Sequence, residues 1–306
     1  MLDGALQQGL FELRFDPADE ALARDVLVTL TEALDDLCPP LSRGDEPIRV
    51  ALCGSPRAFR RFAGAYATPA VVGIARSEDG LIAVKTPRIA PPGTDFHGVL
   101  RHELIHVLLA RTTDTVNLPS WLNEGLAMHL SGEHRWNSTW RVAHMYLTGS
   151  IIPYRELPLS LREPGVESEF GDAYAQSLSL TRRLFAEIGD EGVWELLDAM
   201  REQSYGDALR AVAGMDPMDL FDKWRGSLWR VAAVSSIVSG FSAFQLMAVL
   251  TLVAWWRKRR RGRAIVQQWD EEDAEQRTRR RPRDFLYPRE DALERRDSPP
   301  PWTWED

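Results

Sequence analysis

The sequence predicts an α+β domain with a helical second half, followed by one transmembrane helix and a polar tail. Three observations carry this. Short apolar runs with strand-like spacing fall within the first 85 residues. Helical spacing dominates residues 95–230. An uncharged apolar run then fills residues 231–254. Strands first and helices after is the order of an α+β fold with a helical second lobe.

Each element has its own signal. Phe11, Leu13 and Phe15 alternate with Glu12 and Arg14, as in a half-buried strand. Residues 17–37 carry apolar side chains at helical spacing, and Pro39-Pro40 stops them. Residues 48–53 read as a buried strand ended by Gly54-Ser55-Pro56, and Pro56 opens a helix over 57–63. Residues 71–74 and 81–84 are apolar runs joined by the turn Ser77-Glu78-Asp79-Gly80, a hairpin pattern. Residues 95–110 form a helix that is apolar almost all round, the mark of burial against a sheet. Further helices are expected over 119–130, 172–188, 190–202, 205–213 and 216–229. The catalytic or binding domain is thus expected over residues 1–225.

Composition is globular, with 44% hydrophobic and 27% charged residues among 306. The net charge of −8 is unevenly spread. Residues 257–306 hold 14 basic and 12 acidic residues, leaving residues 1–256 with 23 basic and 33 acidic, a net of −10. Such an acidic domain repels phosphate, so no nucleic-acid partner is expected. Two cysteines, Cys38 and Cys53, cannot make a disulfide framework. They read as small buried hydrophobes, with a single bridge as the alternative.

The uncharged run is 24 residues long, about 36 Å as a helix, enough to cross a bilayer. Trp229, Trp255 and Trp256 flank it where indoles favour the interface. The transmembrane helix is placed over residues 231–256. Six of the seven residues 257–263 are basic, which holds that side in the cytoplasm and puts the large N-terminal domain outside it. Such a domain needs a signal peptide, and residues 1–20 lack a basic stretch followed by an apolar one; a missing or misassigned start is expected, the alternative being a cytoplasmic domain with an exported tail. Residues 264–306 carry mixed charge and prolines without apolar period, a disordered tail. Ser235, Ser239 and Ala243 have the spacing of a helix-pairing face, and the oligomeric state stays open.

The chemistry lies in His102-Glu103-Leu104-Ile105-His106. Residues four apart on a helix are offset by about 40°, so both imidazoles reach one ion. Glu103 stands about 100° round from His102, beside the ion without being a ligand. Burying these three polar side chains on an apolar helix is costly without a partner such as a metal. Two histidines do not complete a zinc site, so a third protein ligand is required.

Pro119-Ser120-Trp121-Leu122-Asn123-Glu124-Gly125-Leu126-Ala127 suggests it, and here the sequence resembles a known family. Gluzincin zinc metallopeptidases pair HExxH with a glutamate on the following helix, and Glu124 lies 18 residues past His106. The segment is most similar to the peptidase-MA-like proteins of bacteria, over roughly residues 10–225. The resemblance implies a thermolysin-like architecture, with a small sheet over the HExxH helix, a cleft and a helical lobe. It implies one zinc per chain on His102, His106 and Glu124, Glu103 as general base, and a peptide or protein substrate. It makes Tyr174 the candidate oxyanion donor, with Tyr146, Tyr154 and His144 as rivals. It suggests that the 81–85 strand is an edge that holds extended substrate. Asn123 reads equally as a contact to substrate backbone or as a structural amide. His129 and His134 read as surface or lining residues, and His97 has no assigned role.

Two departures qualify the resemblance. The Gly-x-Met-Glu-Asn motif of the aminopeptidase branch is missing, which favours an endopeptidase. The acidic residue that many gluzincins carry one turn after the zinc glutamate is Met128, so a partner for the zinc histidines must come from elsewhere. The competing readings are a non-catalytic, membrane-anchored binding module of gluzincin fold, and a zinc hydrolase of another substrate class.

Overall fold

The computed structural model describes residues 2–64, 67–132, 136–161, 167–240 and 247–259. The chain divides into two units, Met1–Val238 and Ser239–Asp306.

The first unit opens with a five-stranded sheet. Strands β1 (Gly4–Gln8), β2 (Phe11–Phe15), β3 (Ile48–Cys53), β4 (Gly73–Arg76) and β5 (Leu81–Lys85) stand in the order β1-β2-β3-β5-β4. β2, β3 and β5 run parallel, and β1 and β4 close the two edges antiparallel. The edge beside the later helices is therefore β4. This corrects the expectation for the 81–85 strand, because β5 is paired on both sides, to β3 and β4. Gly80 makes the hairpin turn possible with a left-handed φ of 58°.

Side-chain alternation sends the central strands to two different cores. Ile48, Val50, Leu52, Ile82 and Val84 join the main core. Ala51, Cys53 and Ala83 face the other way, onto Phe59 and Ala63 of α2 (Pro56–Ala63). Lys85 lies on this second face, its ammonium 5.0 Å from the Phe59 ring centre. The ammonium donates to the carbonyls of Thr68 (2.9 Å) and Pro69 (3.1 Å), and burial pushes its pKa down. Cys38 and Cys53 are both free, and burial pushes the Cys53 thiol up to about 12.

Two long helices cover the main face. α1 (Glu20–Leu37) buries Val26, Leu27, Leu30, Leu34 and Leu37, the expected stripe. α3 (Phe96–Thr112) starts at Asp95, whose carboxylate accepts from the Gly98 amide, and buries Leu100, Leu104, Ile105, Val107, Leu108 and Leu109. α4 (Ser120–Leu130) follows, then α5 (Trp136–Thr148), the single turn α6 (Leu157–Ser160), α7 (Glu167–Ala199), α8 (Tyr205–Ala213) and α9 (Pro217–Gly240). A left-handed Gly189, φ 71°, breaks α7 where the sequence separates its two expected helices. β1, α5 and α6 were not expected from sequence. The lobe is closed by Trp224 of α9, whose indole donates to the Ser179 hydroxyl at 2.9 Å.

The predicted transmembrane segment is helical through Gly240 and again over 247–259, and residues 241–246 lie outside the described residues. No helix among the described residues is long and apolar enough to cross a membrane. The predicted tail beyond residue 259, and His134, also lie outside them.

Candidate metal centre

α3 and α4 bring the expected ligands together. The Nε2 atoms of His102 and His106 are 3.1 Å apart. Glu124 Oε2 lies 3.6 Å from the first and 3.7 Å from the second, beyond hydrogen-bond reach. All three side chains are mostly buried, with exposures of 13%, 10% and 20% for His102, His106 and Glu124. Among the described residues, theirs is the one group of three His, Cys, Asp or Glu side chains close enough to share an ion.

These residues fit zinc on chemical grounds. Asn123 Oδ1 lies 3.0 Å from His106 Nδ1 and accepts its proton. That bond makes His106 Nε2 a lone-pair donor aimed at His102 and Glu124. Ligand atoms placed tetrahedrally at zinc bond lengths are separated by about 3.3 Å, and 3.1, 3.6 and 3.7 Å bracket that value. Glu124 Oε2 is buried without a hydrogen-bond partner, which a protein rarely tolerates unless another group satisfies the site. Burial pushes the Glu124 carboxyl up. The nearby imidazoles, His106 foremost, and the Tyr174 hydroxyl outweigh burial and hold it below the ordinary carboxylate value.

The other candidates fall into place around this cluster. Glu103 is 8% exposed, and its carboxylate lies against Gly73 of β4. Tyr174, on α7, is among the groups that hold the Glu124 carboxyl low, which puts its hydroxyl near the expected metal ligand. Asn123 is half-buried and holds His106, the place that the acid missing at position 128 would fill. Tyr154 belongs to an aromatic cluster with Trp121 and Phe221, at 6.3 and 5.7 Å between ring centres. Burial raises its pKa, and its role there is packing. His144 is exposed, and Tyr146 is half-buried against the core. His129 packs on Phe185 at 4.4 Å between ring centres. His97 lies within 2.9 Å of the Thr29 hydroxyl and 3.5 Å of Asp25, tying α3 to α1.

Sequence reasoning missed the close approach of α4 to α7. A Cβ on Gly125 would meet the Thr181 side chain and stand 2.7 Å from the Ser177 carbonyl oxygen. The only sequence signal was a glycine inside a helix beside the glutamate.

A comparison with curated proteins found no match. A family model described as Peptidase MA superfamily matches residues 73–230, just over half of the 306. The matched region begins at β4 and contains all three candidate ligands, and by this match the chain belongs to the Peptidase MA superfamily.

Proposed function

We propose that this chain is a zinc metallopeptidase of gluzincin type, cleaving within peptides or proteins. The observation that carries the reading is the convergence of His102, His106 and Glu124, with Asn123 fixing the tautomer of His106. When bound there, zinc supplies Lewis acidity that acidifies water and polarises a carbonyl. Glu103 takes the proton from the attacking water and delivers it to the leaving amine nitrogen. Tyr174, whose hydroxyl acts on Glu124, is the assigned donor for the oxyanion that develops on the substrate. β4 has one paired side, to β5, and its open edge is suited to pair with an extended substrate beside the HExxH helix.

The chain is also proposed to be membrane-anchored, its peptidase domain outside the cytoplasm. Support comes from the uncharged run over 231–254 and from Met247, Leu250, Leu252, Trp255 and Trp256, each at least 50% exposed on the 247–259 helix. Arg259 stacks over Trp255 at 5.1 Å, as an interfacial cation does.

The test uses the full chain, its metal content and a peptide library. One zinc per chain is expected, with Glu124→Ala losing it. Glu103→Gln should keep the metal and lose cleavage by about 100-fold or more. Cleavage that survives Glu103→Gln would remove Glu103 as the base. A folded chain without zinc would overturn the reading, and zinc without turnover would favour the binding module.

A further inference from the structure

Glu103 rests against a strand that has no side chain where the two meet. A Cβ built on Gly73 would lie 2.6 Å from Glu103 Oε1, 2.8 Å from Glu103 Cγ and 2.8 Å from Val99 Cγ1. Real Cβ atoms do not approach other heavy atoms so closely. Gly73 is absent from the left-handed glycines of the chain, so its backbone would accept alanine. Space alone, and not torsion, demands a glycine here.

The surroundings leave little room for relief. Gly73 is held in register opposite Val84, and Val84 is fully buried. Val72, just before it, accepts a backbone bond from the Lys85 amide at 2.9 Å. On the other side, α3 is fixed by its buried apolar stripe. An added methyl would therefore displace the softest neighbour, the Glu103 carboxylate.

We propose that Gly73 is a positioning residue: the bare backbone of β4 forms the wall that fixes the Glu103 carboxylate relative to the metal ligands. This rests on the peptidase reading for its catalytic consequence, but not for the contact itself. The wall is also the strand whose open edge would take substrate, so one element sets the base and the scissile bond against each other.

The experiment is a double-mutant cycle on the full chain, with Gly73→Ala and Glu103→Ala singly and together. Gly73→Ala should keep zinc and leave KM within about twofold, while kcat falls about 100-fold, the scale of a misplaced catalytic group. In melting temperature, the loss caused by Gly73→Ala should be reduced by about half or more in the Glu103→Ala background, because the clashing carboxylate is gone. Should Gly73→Ala fail to fold, the same cycle is run in a Val99→Ala chain, where the second contact is removed. Equal melting losses in the two backgrounds would overturn the proposal. So would an unchanged kcat in an active enzyme. If the wild type turns over no peptide, the peptidase reading fails and the melting cycle still decides the contact.

Discussion

Asn123 sits beside the candidate ligands, and its 3.0 Å bond to His106 Nδ1 leaves Nε2 of that ring to face His102 and Glu124. Replacing it with alanine should weaken zinc binding about 10–100-fold while leaving the fold intact, as read by competition with a chelator. Asn123→Asp keeps the acceptor and should restore most of the affinity. An alanine variant with undiminished affinity would remove Asn123 from the site. The sequence left Asn123 between a substrate contact and a structural amide, because the choice depends on how far α4 stands from α3. The ligands were legible for the opposite reason. Two histidines one helical turn apart define their own geometry, and Glu124 was marked by the motif around it. Gly73 gave no signal at all, since nothing local says which glycine faces the Glu103 carboxylate.

At the scale of elements, α4 carries Glu124 and lies tightly on α7. Gly125 permits that approach, directly after Glu124 in sequence. Gly125→Ala should push the helices apart, cost about 1–3 kcal/mol of stability, and lower zinc affinity together with it, checked by denaturant unfolding and metal titration. A stable variant with normal affinity would show that the contact has slack. Helices α1, α3, α4 and α8 were readable because each carries a long apolar stripe or a clear cap. β1 was not, because Gly-Ala-Leu-Gln-Gln offers one large apolar side chain and owes its strand to pairing with β2. The edge position of β4 was not readable either. Strand order belongs to the sheet, and a hairpin in sequence does not say which arm lies outside.

At the scale of the whole molecule, the two units make different demands on solvent. The first hides its apolar side chains in a continuous core. The second exposes them along 247–256, which water does not favour. The full chain should therefore sediment with membranes and require detergent for release, whereas a chain ending before residue 231 should not. Release by salt alone would argue for a peripheral association instead. The first unit is itself uneven. One face of its sheet bears Ile48, Val50, Leu52, Ile82 and Val84 against α1 and α3, while the other bears the smaller Ala51, Cys53 and Ala83, with Ile74 and Lys85 beside them, against α2. Local opening follows the thinner contact, so amide exchange should begin around α2 and the 67–72 segment that Lys85 holds, well before α3 and α4 release their protons. That softer side leads directly into β4. A peptide paired along β4 would hold the loosest margin of the domain closed, so binding and local ordering would occur as one event.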